Sequence, residues 1–151
     1  MSDFRTLLEA DLRLVKDRFA PGGELMPNCF RSMNGEFLDY RSRSLIRARF
    51  PVKEEMLNPM LRMQGGFITA AFDNVFGPLS YAAAHALCST VDIQTHFLRG
   101  VEANDMLTVE ARVVTRGATL MHLYGEAFNA KGKLVATSTS NMIIHRDDAS
   151  T

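Results

Sequence analysis

No tryptophan occurs in this chain of 151 residues, and only two cysteines do, Cys29 and Cys88. Their separation fits no zinc spacing and no Cys-x-x-Cys redox motif, so free thiols are expected. Charge of neither sign is in excess, because seventeen basic residues balance seventeen acidic ones. That balance removes the electrostatic footprint of a general nucleic-acid binder. No apolar run approaches the ~20 residues needed to cross a bilayer. The opening stretch MSDFRTLLEADLRLVKDRFA carries Asp3, Glu9 and Asp11, where a signal peptide would need an apolar core. The cytoplasm is the expected compartment. His85, His96, His122 and His145 show no ligand spacing such as His-Glu-x-x-His, so no metal is expected. Ser80, Ser89 and Cys88 lack the Gly-x-Ser-x-Gly turn of a serine hydrolase.

What is present is a globular composition, 46% hydrophobic and 23% charged, of a length that suits one domain with a real core. A single domain over residues 1–151 is expected. Phe4, Leu7, Leu8, Leu12, Val15 and Phe19 recur at three- and four-residue steps. They predict an amphipathic N-terminal helix within residues 1–22, ended by Pro21-Gly22-Gly23. Its polar face mixes both signs, so it should pack on its own domain and not on a membrane.

Residues 36–52 read as two strands, EFLDY and SLIRARFPV, around a polar turn at 41–43. KEEMLNPML reads as a loop, with Asn58-Pro59 blocking helix. From Gln64 to about Ala84 the pattern is helical, alanine-rich and almost uncharged, which predicts a buried central helix. Pro78 should kink it or end it early. After Cys88 the period falls from 3.6 to 2. TVDIQTHFLR, MLTVEARVVTR, TLMHLYGEAFN and KLVATSTSNMIIHR predict four strands in a meander, with turns at Asn104-Asp105, Gly117 and residues 130–133. An antiparallel sheet packed on one long helix is α+β architecture.

The opening of that helix carries the chemistry. A helix N-terminus presents unpaired backbone N–H groups and partial positive charge. Gly65 and Gly66 let a ligand approach that backbone closely. A thioester carbonyl oxygen placed there would be stabilised as charge develops on it. Asp73, the only acidic residue in the predicted helix, can act as general base on a water or attack the carbonyl itself. The sequence leaves both roles open. Asp73 follows Gly65 by eight residues, about 12 Å of helical rise. One carbonyl carbon cannot sit ~3 Å from both groups. A two-fold dimer with antiparallel central helices would bring Gly65 of one copy to Asp73 of the other. The plainer alternative is a loop-to-helix turn at Gly65-Gly66, with Asp73 paired to a core polar group.

Several pieces occur together: Asn58-Pro59, Gln64-Gly65-Gly66, Asp73-Asn74, HFLRG at 96–100, ARVVTRG at 111–117 and NAKGKLVATSTSNMII at 129–144. In order and spacing the set resembles the acyl-CoA thioesterases of the PaaI-like branch, over residues 36–145. The resemblance implies a hotdog fold, an antiparallel sheet wrapped round one central helix. It also implies an acyl-CoA substrate, no separate cofactor since coenzyme A is part of that substrate, and a homodimer or a dimer of dimers. It places Asp73, Gly65, Gln64, Asn58 and Thr90 in the catalytic set. There Asn58 organises the site, and Thr90 holds the water beside the carboxylate. Gln64 stands where that branch usually has histidine. Glutamine can hydrogen-bond but cannot titrate near neutrality, although a thiolate leaves readily without acid help. Gly66 and Asn74 fall among the substrate contacts.

Coenzyme A carries phosphates, and Arg99, Arg116 and Arg146 sit at predicted strand ends where phosphates can reach. Of these, Arg99 and Arg116 are assigned to substrate binding. Met26, Met33, Met56, Met60 and Met63 cluster before and along the site loop, either as gap fillers or as an adaptable acyl lining. Two other functions remain open. A non-catalytic acyl-CoA-binding or sensing protein is favoured by Gln64, and a structural partner subunit would bind no ligand.

Overall fold

Most of the apolar residues between Ile68 and Ala83, among them Ala71, Phe72, Val75, Phe76, Leu79 and Ala82, recur at helical spacing and are buried. The computed structural model describes residues 3–19, 21–26 and 28–146. In chain order the elements are α1 (Phe4–Phe19), α2 (Asn28–Ser32), β1 (Glu36–Arg41), β2 (Leu45–Pro51), a 3-10 turn (Glu54–Met56), α3 (Gly65–Ala84), β3 (Leu87–Phe97), β4 (Met106–Arg116), β5 (Leu120–Phe128) and β6 (Leu134–His145). The six strands form one antiparallel sheet in the order β1-β2-β4-β5-β6-β3. The sheet wraps around α3, which is the α+β hotdog architecture.

Phe72 and Phe76 of α3 are fully buried and stack with ring centroids 5.9 Å apart. Gly125 of β5 lies under them, where a Cβ would meet Phe72 at 3.0 Å. A small residue in the sheet therefore sets how closely helix and sheet approach. A buried ring of this kind contributes about 3–5 kcal/mol when compared with alanine.

Two expectations are corrected. Pro78 neither ends α3 nor stands at its edge; the helix runs 20 residues through it. The bond lost is the one to the Asn74 carbonyl, but Pro78 and Leu79 are buried, and packing outweighs that loss. The last four strands are also not a simple meander. Only β4, β5 and β6 follow one another, while β3 crosses to the far side and pairs with β6, with Cys88 opposite Ile144 and Phe97 opposite Ala136. Residues 98–105 carry the chain back, anchored by Leu98 and Arg99 N–H groups that both donate to Val135 O. The short helix α2 was not anticipated; its one buried residue is Phe30.

Helix α1 buries Leu8 and Val15 and packs on β1 and α3. Asp11 ties it down. Its carboxylate accepts hydrogen bonds from Tyr40 Oη at 2.6 Å and Ser42 Oγ at 2.8 Å, and lies 3.2 Å from His85 Nε2. His85 closes α3 in the left-handed region, at φ 50°. No helix among the described residues is long and apolar enough to cross a membrane.

Candidate functional site

Helix α3 is not apolar all round. Gly66 and Asp73 are exposed and Thr69, Ala70 and Gly77 are partly so, a narrow open stripe at three- and four-residue steps. A Cβ at Gly77 would meet nothing within 4 Å. The stripe runs beside β3, an edge strand whose outer side has no strand partner among the described residues. Helix and strand run in opposite directions along this seam. The Phe97 ring lies against Gly65, Thr69 Oγ1 donates to Thr95 Oγ1 at 3.1 Å, and Thr90 Oγ1 donates to Asp73 Oδ1 at 3.2 Å.

The N-terminus of α3 is held by its approach. Asn58 Oδ1 accepts the N–H groups of Met60 and Arg62, at 3.0 and 3.1 Å, and Asn58 N–H donates to Arg62 O at 2.7 Å. Gln64 N–H donates to Met56 O, and Met63 N–H to Val101 O, both at 2.8 Å. Asn58 thus builds the turn that delivers the helix and lends its side chain to backbone alone.

Gln64 is the N-cap, extended at φ −66° and ψ 138°, with no side-chain cap bond. Its carbonyl accepts from Phe67 and Ile68 N–H, at 2.9 and 3.4 Å. The N–H groups of Gly65 and Gly66 find no acceptor among the described residues. They are the open donors expected of a helix start.

Neither glycine has a positive φ; closeness explains Gly65. A Cβ there would meet the Phe97 ring at 3.0 Å, whereas one at Gly66 would meet only the end of the exposed Gln64 side chain, Oε1 at 2.7 Å, which can swing aside. Phe97, itself 53% exposed, was missed from the sequence. The signal was its place in HFLRG at the end of a strand.

The structure thus brings Thr90 to Asp73, and Gln64 to Gly66, but leaves the two groups apart along one helix. Asn74 joins neither. It is buried, with Oδ1 accepting from Cys29 Sγ at 2.9 Å and Nδ2 donating to Met33 Sδ at 3.4 Å. The substrate contact expected of it is replaced by a core role.

Arg116 is likewise committed elsewhere. Its Nη1 donates to Ala83 O, which also accepts from Arg43 Nε at 3.1 Å and Nη2 at 2.9 Å. Two cations on this one carbonyl in the last turn of α3 complement the negative end of its dipole. They sit at the opposite end of the helix from Gly65. Arg146 Nε is spent on Ala118 O at 2.9 Å. Arg99 is exposed. Met33, Met56 and Met63 are core residues, and Met60 is 75% exposed.

Most of the perturbed acids and bases lie away from this stripe; Tyr81, two turns past Asp73, is the exception, its phenol pushed up by burial and then by the Cys88 and Asp73 charges. Burial pushes the Asp11 carboxyl up, but the hydrogen bonds from Tyr40, Ser42 and His85 and the His85 charge outweigh it, leaving it below its ordinary value. Burial and the bond to Asp11 push the Tyr40 phenol well up. Burial also raises the Cys88 thiol. Among the described residues no group of three or more His, Cys, Asp or Glu is placed to hold a metal ion.

Residues 63–136 match the thioesterase superfamily model, a segment that includes the Gln64-Gly65-Gly66 helix start, Asp73 and Thr90. Over that segment the chain is similar to the thioesterase superfamily, and its fold is the hotdog fold. A phenylacetic acid degradation-related protein of Ralstonia eutropha shares 28% identity, with 85% of this chain and 98% of that one covered at a TM-score of 0.74. The Escherichia coli PaaI protein, from the phenylacetic acid degradation operon, is 17% identical and superimposes at a TM-score of 0.79 over 95% of this chain and 97% of its own. A Streptococcus mutans protein bound to acetyl-CoA is 20% identical, with a TM-score of 0.70 over 74% of this chain and 89% of that one. No curated protein matches the chain.

Proposed function

We propose that the protein hydrolyses acyl-CoA thioesters at sites shared between two copies of the chain. One observation carries this reading: Asp73, oriented by Thr90, and the open N–H groups of Gly65 and Gly66 lie on the same exposed stripe, separated by about 12 Å of helix. Neither end alone can both polarise a carbonyl and supply the attacking oxygen. A second α3, antiparallel across the small residues of the stripe, would put each carboxylate opposite the other copy's helix end. The open space over Gly77 and the unpaired edge of β3 favour such an approach, and a dimer of dimers would repeat it.

In this reading the thioester carbonyl oxygen is held by the N–H groups at one helix start, where negative charge grows as the tetrahedral centre forms. Asp73 of the other copy takes a proton from water, or attacks directly. The C–S bond then breaks and coenzyme A leaves as its thiolate; in the direct-attack route water then hydrolyses the acyl–Asp73 anhydride, which releases the acid and restores the carboxylate, so no separate cofactor is needed. Gln64 Oε1 lies beside Gly66, where its amide can orient the thioester. A second reading, an acyl-CoA sensor, rests on Gln64 standing in place of a titratable residue. A hydrolysis panel over short, medium-chain and aromatic acyl-CoAs separates the two.

The shared site is tested by complementation. Asp73→Ala removes the carboxylate and Gly65→Pro removes a donor. Gln64 is already extended at ψ 138°, as a residue before proline must be, and proline is tolerated at a helix's first position. Each variant alone should be inactive, and circular dichroism must first show that Gly65→Pro folds, since its Cβ meets the half-exposed Phe97 ring at 3.0 Å. An equal mixture refolded together forms mixed dimers about half the time, each with one undamaged site, so about a quarter of wild-type activity should return. Recovery near zero, with subunit exchange verified by tagged chains, rejects the shared site.

A further inference from the structure

Past Asp73 the open face of α3 continues to a residue that the chemistry above does not use. Asp73, Gly77 and Tyr81 follow one another at four-residue steps and so share one face of the helix. Gly77 leaves a gap between the other two, since a Cβ there would meet nothing within 4 Å. Long side chains on a helix lean toward its N-terminus. The ring of Tyr81, half-buried against the core, therefore leans back toward Gly77 and Asp73.

The other hydroxyls of α3 are committed. Thr69 Oγ1 donates to Thr95 Oγ1 at 3.1 Å, and the buried Ser80 Oγ donates to the Gly77 carbonyl at 2.7 Å. Across the seam, Thr90 Oγ1 is spent on Asp73 Oδ1. The Tyr81 hydroxyl has no hydrogen-bond partner among the described residues, and neither has Asp73 Oδ2. A tyrosine hydroxyl held partly out of water ordinarily finds a partner, so an unmet phenol here stands near an unmet carboxylate oxygen. Two titratable groups face that phenol, Cys88 from β3 and Asp73 from α3 itself. Burial and then their charges push it up, which keeps it a neutral hydroxyl at neutral pH.

We propose that Tyr81 is a further catalytic residue: with Asp73 Oδ2 it holds the attacking water in the gap over Gly77. The inference rests on the thioesterase reading for its reaction. One proton of the water points at the carboxylate and the other at the phenol oxygen, which leaves a lone pair for the carbonyl carbon. As the oxygen–carbon bond forms, the first proton passes to Asp73 and the carbonyl electron pair moves onto its oxygen. Asp73 alone would leave the water free to turn about a single hydrogen bond. A second contact fixes its direction, and orientation of this kind lowers the barrier.

Tyr81→Phe keeps the ring and deletes only the oxygen. On an acyl-CoA that the wild type hydrolyses, kcat should fall about tenfold, the scale of one hydrogen bond, while KM holds. Unchanged kcat in the folded variant overturns the inference, and so does a loss carried by KM alone. The pairing is also read without turnover. The chain has three tyrosines, so labelling with 3-fluorotyrosine gives three fluorine resonances, that of Tyr81 assigned by its loss in Tyr81→Phe. Between pH 7 and pH 3 this resonance should follow a carboxylate titration, and in Asp73→Asn that dependence should vanish. A Tyr81 resonance indifferent to Asp73 overturns the inference. A protein that hydrolyses no acyl-CoA, yet whose Tyr81 resonance tracks Asp73, loses the thioesterase reading and keeps the pairing. One that hydrolyses acyl-CoA with an indifferent Tyr81 loses this inference alone.

Discussion

Thr90 Oγ1 donates to Asp73 Oδ1 across 3.2 Å, and this bond joins the edge strand to the middle of the central helix. A hydroxyl so placed fixes one carboxylate oxygen and leaves the other for a water or a carbonyl carbon. Asp73→Asn should lower kcat by roughly 10²–10⁴, the range for a lost general base. Thr90→Val should lower kcat about tenfold while KM holds, since one hydrogen bond to a charged group is lost. Thr90→Ser should restore most of the rate. Steady-state kinetics on a good acyl-CoA decides both; wild-type kcat in folded Asp73→Asn ends the catalytic assignment.

Gln64 sets a different expectation. Its amide has no proton to lose near neutrality, so the wild-type pH–rate profile should carry no inflection from this position. Gln64→His should keep at least part of the activity and add an inflection near the ordinary histidine range, about pH 6.5. Loss of all turnover in that variant, with folding and substrate affinity intact, would show that the amide itself is required.

The Asp11 cluster gives a prediction about stability. Its carboxyl is held below its ordinary value, so the folded chain binds this proton less readily than the unfolded one. The stabilisation is therefore complete above the ordinary carboxylate pKa and fades as pH falls through the lower, folded value. Urea midpoints measured from pH 6 down to pH 3 should drop for the wild type. Asp11→Asn should be less stable at pH 6, by about 1–3 kcal/mol for a lost charged acceptor, and should show a shallower acid slope. Parallel slopes would place the acid sensitivity elsewhere.

The strands and α3 were legible because period and turn residues agreed: predicted MLTVEARVVTR is β4 residue for residue. Partner choice was not legible. A period-2 pattern says that β3 is a strand but not that it lies beside β6 and away from β4. Pro78 misled because propensity is local and the packing around Phe76 and Leu79 is not. Of the site, Asp73, Thr90 and the glycine pair were visible as residue types at a spacing. Asn74 was misread because adjacent helical residues face about 100° apart, and only the fold says which of the two points inward. Arg116 looked available at a strand end until the carbonyl of Ala83 was seen to lie within its reach.

The position of β3 bears on how the chain matures. This strand leaves α3 early yet hydrogen-bonds to nothing in the sheet except β6, with Leu87 opposite His145. Thr90 pairs with Met142, so more than fifty residues must follow before its strand has a neighbour. Pairing over that separation pays a loop-closure cost before it gains any contacts. A chain emerging during synthesis can assemble β1, β2 and α3 while the strand beside Asp73 still waits. The strand that carries the carboxylate's hydroxyl neighbour therefore has no partner in the sheet until β6 has emerged.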